Sequence, residues 1–172
     1  MVMMSVPFDL HQHDDSDLLD LIEDLAESRK WQCVREDATF LTLTVPGQNG
    51  VNYDICMEWQ DEFASLLFAC SLPLEITDKN YEAAARTLEQ INQNLWLGHF
   101  DLSNKNKYPT FRYTFLFRLI PGSIGVDMVA DVVDVAVAEC NRFNSTFQMV
   151  QSGDVRLQDN LTAAVFETVG EA

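Results

Sequence analysis

NLWLGHFDL at residues 94–102, followed by FRYTFLFRL at residues 111–119, joins the end of a helix to a turn and then to a β-hairpin. Apolar and polar residues alternate on both arms, with Phe100 and Leu102 on the first and Phe111, Tyr113, Phe115 and Phe117 on the second. Period-two alternation puts these six side chains on one face of a pleated pair, and a one-residue slip would carry all of them to the other face. The expected pairing runs residues 99–103 against 110–119 across the loop at 104–109, and sets Asp101 opposite Arg112 as a cross-strand ion pair on the polar side.

Upstream, a helix is expected from Asp78, with Tyr81, Ala84, Ala85, Leu88, Ile91, Asn92 and Leu95 on one stripe and Trp96 at its edge. Gly98 is its expected left-handed C-terminal cap. Three or four strands precede it, near residues 31–35, 39–45 and 51–59, with the breaker PGQNG at 46–50 between the last two. A tight turn at Gln60-Asp61 would set Trp59 opposite Glu62, Ile55 opposite Leu66 and Tyr53 opposite Phe68. Val51, Tyr53, Ile55, Met57, Leu66 and Phe68 then share a face with Leu41, Leu43 and Val45. The same register turns Phe40, Cys56, Phe63 and Leu67 the other way, an apolar patch amid Thr42, Asp54 and Glu58 that needs a cover, either the C-terminal segment or a second subunit.

A first helix is expected from Asp15 or Ser16 to Lys30, carrying Leu18, Leu21, Ile22 and Leu25, with Asp14, Asp15, Asp17 and Asp20 at its positive end. After Pro121-Gly122, helical spacing returns at Val126, Val129, Val133, Ala136, Val137, Cys140 and Phe143, and a shorter helix near Leu157, Leu161, Ala164, Val165 and Val169 closes the chain. The resulting class is α+β, with helices packed on an antiparallel sheet. A flexible segment at 1–14 and one domain at 15–172 are expected, since no repeat or linker interrupts the pattern.

The chain has 172 residues, 11 Lys plus Arg against 27 Asp plus Glu, and a formal charge of -16. Such a surface repels phosphate backbones and anionic lipids, which argues against nucleic-acid and membrane partners. The apolar start MVMMSVPF lacks a basic flank and runs into HQHDD, so it reads as a cytoplasmic terminus and not as a signal peptide. Cys33, Cys56, Cys70 and Cys140 are far apart, without the close pairs of zinc or dithiol redox motifs, and are expected as buried thiols. Trp31, Trp59 and Trp96 are expected to be at least partly core.

His99 and Asp101 fall on the same side of one strand, but no activated nucleophile or glycine-flanked serine accompanies them. Asp127, Asp131 and Asp134 line one helix face, the pattern of a solvated row, since hard cations gather oxygen ligands from several directions. Lys105 and Lys107 mark a basic hairpin tip beside Tyr108. No glycine spacing makes a phosphate loop. No catalytic, cofactor or metal residue is therefore assigned.

Together with VNYDICMEWQ at 51–60 and AAVFETVGEA at 163–172, the two opening stretches resemble the YbjN family of bacterial sensory transduction regulators over most of the chain. The resemblance implies a fold like the type III secretion chaperones and the binding of protein segments. The expected function is a non-enzymatic cytoplasmic protein-binding or regulatory module, a chaperone-like adaptor in stress or signalling that forms a homodimer. The alternative is a small-molecule or metal-dependent enzyme using His99 and nearby carboxylates.

Overall fold

The computed structural model describes residues 18–102, 107–154 and 156–166. Among them, helices α1 (Leu18–Arg29), α2 (Tyr81–Asn92), α3 (Gly122–Ser152) and α4 (Leu157–Phe166) pack on strands β1 (Gln32–Arg35), β2 (Phe40–Pro46), β3 (Asn52–Gln60), β4 (Ser65–Ser71), β5 (His99–Leu102) and β6 (Pro109–Leu116). The sheet order is β1-β2-β3-β4-β6-β5, with every neighbouring pair antiparallel. This is an α+β fold. The expected cap at Asp15 or Ser16, the loop residue Lys105 and Val169 lie outside the described residues.

Alternation makes the sheet two-faced. Leu41, Leu43, Val45, Tyr53, Ile55, Met57, Leu66, Phe68 and Phe111 are buried, and Leu19 and Ile22 of α1, Leu88 and Ile91 of α2 and Val133 and Phe143 of α3 join them in one core. At its centre Phe100 stands edge-on to Phe111 (ring centroids 5.6 Å) and Phe143 (6.0 Å), and tilts against Phe147 (5.8 Å). Tyr113 is only half-buried, packed at the margin of this core.

The β3–β4 hairpin differs from the expected two-residue turn. A 3-10 turn at Asp61–Phe63 and a left-handed Ala64 (φ 46°) lengthen the connection, so that Trp59 pairs with Leu66, Met57 with Phe68 and Ile55 with Cys70. The shift is four residues, an even number, so every side chain keeps its expected face. Phe63 is the exception: it sits in the turn, not on a strand.

Helix α2 stops at Asn92, six residues before Gly98, leaving Leu95 and Trp96 beyond it. Trp96 is 73% exposed, against expectation. On α2 itself Ala85 faces solvent, and buried Thr87 fills out the stripe by donating its hydroxyl to Ala83 O at 2.9 Å. The cause of the early stop is long-range. Asn92 donates Nδ2 to Phe100 O (2.9 Å) and accepts from Phe100 N (2.7 Å), so one amide side chain pairs with β5 as a neighbouring strand would. Gly98 is left-handed as expected (φ 65°), but it works as the corner into β5 instead of capping the helix.

Helix α3 runs nine residues past Phe143 because Thr146, Phe147 and Val150 continue its buried stripe. Gly153 (φ 71°) ends it, with Gly153 N–H donating to Val150 O and Asp154 N–H to Met149 O, the paired bonds of a Schellman cap.

Cys70 on β4 and Cys140 on α3 meet in the core with their sulfurs 3.7 Å apart, while Cys33 and Cys56 are half-buried. Burial pushes the Cys140 thiol well above its ordinary 9.0, helped by its hydrogen bond to Cys70; burial also raises Cys33 and Cys56. Since the thiolate is the nucleophile, maleimide at neutral pH should label Cys33 and spare Cys70 and Cys140 until the chain unfolds. Peptide mass spectrometry of the labelled native protein checks this; equal labelling of Cys140 and Cys33 would contradict the packing.

Candidate interaction surface

The four helices pack into the one core on the inner face, and α4 lies against α3 and α2. The outer face of the sheet therefore has no cover among the described residues. Of the C-terminal segment expected as one possible cover, residues 157–166 pack on the inner side instead, and 167–172 lie outside the described residues.

Strand register fixes the outer rows. One runs Val34, Thr42, Cys56, Ala69, Arg112 and His99, and the next runs Phe40, Glu58, Leu67 and Thr114. Phe40 and Leu67 thus flank Glu58, while Cys56 sits one row along between Thr42 and Ala69. Leu67 is 39% exposed, Phe40 and Cys56 are half-buried, and Phe63 extends the patch from the hairpin turn at 56% exposed. Val34 and Leu116 enlarge it. Both are well exposed and alternate with inward-facing neighbours, so the same period-two pattern marked them, although sequence reasoning did not single them out.

Polar groups on this face are largely tied to one another. Thr44 donates to Asp54 at 3.0 Å, Gln60 donates to Glu58 at 2.7 Å, and Arg112 Nε donates to Asp101 Oδ2 at 3.0 Å. Asp101 faces Thr110 in the ladder, not Arg112, because the pairing is two residues from the expected one; Arg112 faces His99 and reaches Asp101 diagonally. Burial raises the Cys56 thiol, opposed by a hydrogen bond with Thr42 and reinforced by the charges of Asp54 and Glu36. The face thus presents apolar side chains among hydrogen-bonded polar ones, with Asp101 paired to Arg112.

The residues weighed for catalysis do not converge. His99 is exposed on the edge strand. Asp127, Asp131 and Asp134 are all exposed along α3, and Asp134 is engaged by Arg29 of α1 at 2.8 Å. Lys107 pairs with Asp78 at 2.6 Å. Among the described residues no group of three or more His, Cys, Asp or Glu is placed to hold a metal ion, and no helix is long and apolar enough to cross a membrane. A cleft of about 520 Å³ opens between α2 and α4, lined by Ala83, Arg86, Thr87, Gln90 and Leu161 among others, and His99 is not part of it.

Comparison with known proteins agrees with the architecture. The chain is similar to the solved "crystal structure of YbjN, a putative transcription regulator from E. coli", with a TM-score of 0.53 at 16% identity, over 76% of this chain and 92% of that one. At that identity the likeness speaks for the fold. No curated protein matches the chain. The sequence profile of YbjN, described as "putative bacterial sensory transduction regulator", matches residues 18–149, which run from the first residue of α1 almost to the end of α3 and include the whole sheet. With most of its length matched in this way, the chain belongs to the YbjN family.

Proposed function

We propose that this protein is a non-enzymatic regulatory module that binds protein through the outer face of its sheet, and that a second copy of the chain is its first partner. The observation that carries the reading is the uncovered patch formed by Phe40, Cys56, Phe63 and Leu67, widened by Val34 and Leu116. Two such sheets stack face to face by a two-fold axis, each patch covering its copy. The family's description as sensory transduction regulators supports a regulatory role, which a cytoplasmic chaperone-like adaptor in stress or signalling would fill. A formal charge of -16 opposes direct contact with nucleic acid or anionic lipid.

Leu67→Asp tests this. It sets a charge without a counter-ion at the centre of the patch, which costs about 3 to 5 kcal/mol when buried, a rise of roughly 10² to 10⁴-fold in the dimer dissociation constant. Sedimentation equilibrium should show a dimeric wild type and a monomeric variant, with unchanged circular dichroism because the inner core is untouched. A wild type that stays monomeric at high micromolar concentration would reject the dimer.

A further inference from the structure

Cys70 and Cys140 stand 70 residues apart in the chain, yet their sulfurs are in contact at 3.7 Å and each thiol is the other's hydrogen-bond partner. Both side chains are fully buried. Cys70 is held in the middle of the sheet, where β4 pairs with β3 on one side, Ile55 opposite, and with β6 on the other, Phe111 opposite. Cys140 is held through its neighbours in the sequence. Asn141 Oδ1 accepts from Tyr53 Oη and from Gln48 N, each at 2.9 Å. Glu139 pairs with Arg142 at 3.0 Å, and Arg142 donates Nε to Ala164 O of α4 at 2.6 Å. The ladder thus fixes one sulfur, and these bonds fix the turn of α3 that carries the other.

Two thiols in contact can share a hydrogen bond, hold a metal or join as a disulfide, and the surroundings discriminate among these. A metal needs thiolates and further ligands, and among the described residues no group of three or more His, Cys, Asp or Glu is placed to supply them. A disulfide is uncharged and gives up two S–H donors, which suits a site inside an apolar core. A disulfide also needs its sulfurs at about 2.05 Å, so each sulfur has less than about 1 Å to travel. The loop it would close contains α2, β5, β6 and the first part of α3. In the unfolded chain the ends of such a loop rarely meet, whereas the fold holds them together and raises their effective concentration.

We propose that Cys70 and Cys140 are a modification site, a dithiol that a low-molecular-weight disulfide such as glutathione disulfide oxidises to a cross-link stapling β4 to α3. Both sulfurs are out of solvent, so the first step takes place in a molecule whose β4 and α3 have parted locally. One cysteine loses its proton and its thiolate attacks a sulfur of glutathione disulfide; the glutathione S–S bond breaks, and the glutathione released takes up the proton. As β4 and α3 approach again, the second cysteine is deprotonated in turn, attacks the protein sulfur of the mixed disulfide and expels the second glutathione. Two electrons pass to glutathione disulfide, and two protein thiols become one S–S bond. Excess reduced glutathione runs the same steps backwards. The cross-link holds the longest described helix on the middle of the sheet, so the oxidised chain opens less readily than the reduced one. It lies on the inner face, and its test is independent of the sheet-face dimer.

The test refolds the wild-type chain from urea into a buffer of reduced and oxidised glutathione, blocks the remaining thiols by alkylation and maps linked peptides by mass spectrometry. Cys70 to Cys140 should be the dominant link among the pairings that the cysteines allow, although Cys33 and Cys56 are the more exposed thiols. The linked chain should unfold at higher urea than the reduced chain, its folded-to-unfolded ratio raised roughly 10 to 10³-fold. Cys140→Ser should lose both the link and the shift. A dominant link elsewhere, glutathione left on Cys70 or Cys140 without the cross-link, or a linked chain no more stable than the reduced one would overturn the proposal. If Cys140→Ser does not fold, a chain carrying Cys33→Ser and Cys56→Ser takes its place: the proposed link is then the one that can form within a chain, and oxidation that leaves its urea midpoint unmoved overturns the proposal equally.

Discussion

Phe100→Ala should destabilise the fold by about 3 to 5 kcal/mol, while Asp101→Ala, one residue along the same strand, should cost only about 0.2 to 1 kcal/mol. Phe100 is 2% exposed and touches the rings of Phe111, Phe143 and Phe147, so its truncation opens a cavity where β5, β6 and α3 meet. The Asp101 and Arg112 side chains are 46% and 41% exposed, and water screens much of their attraction. Urea denaturation of the two variants separates these terms. A larger loss from Asp101→Ala than from Phe100→Ala would mean that the hairpin is held by charge and not by packing.

Gly98→Ala should cost about 2 to 5 kcal/mol, the sum of a left-handed residue acquiring a Cβ (roughly 1 to 2) and an overpacked site (about 1 to 3). At φ 65° a Cβ would overlap the Phe111 ring and stand 2.9 Å from Arg112 O, and a backbone oxygen has little room to yield. Gly50→Ala is the control, because Gly50 is also left-handed (φ 75°) but has nothing within 4 Å of the added atom. The stability difference between the two variants isolates the clash. Equal losses would show that Phe111 moves aside at little cost and that conformational strain alone is being measured.

What the sequence made legible follows from how local each signal is. Period-two alternation marked the inner and outer faces of β2, β3, β4 and β6 and placed the apolar outer patch, because face is a property of each strand alone. Register needs the turn as well, and Ala64 adopts a left-handed conformation that alanine does not advertise. Together with the 3-10 turn at Asp61–Phe63, that residue moved the β3–β4 pairing by four positions and took Phe63 off the strand. The end of α2 was illegible for another reason: Asn92 fits a helical stripe, and only the arrival of β5 beside it reveals its amide as a partner for Phe100. Similarly, nothing in the spacing of Cys70 and Cys140, or of Arg142 and Ala164, announces that α3 brings each pair together. The candidate surface was thus readable because it is a face, whereas the contacts of Cys140 with Cys70 and of Arg142 with Ala164 O join residues distant in the sequence.

Asn92 also determines in which direction this sheet can grow. Its amide occupies both backbone groups of Phe100, and Asp101 Oδ1 accepts from Leu102 N at 2.8 Å, so these three outward-pointing groups of β5 are already engaged. Among the described residues, the opposite margin of the sheet is the four-residue β1, which pairs on one side with β2. A particle with one receptive margin can join a second particle by that margin only once. Among the described residues, pairing through strand edges alone would therefore be self-limiting, closing when two β1 margins meet.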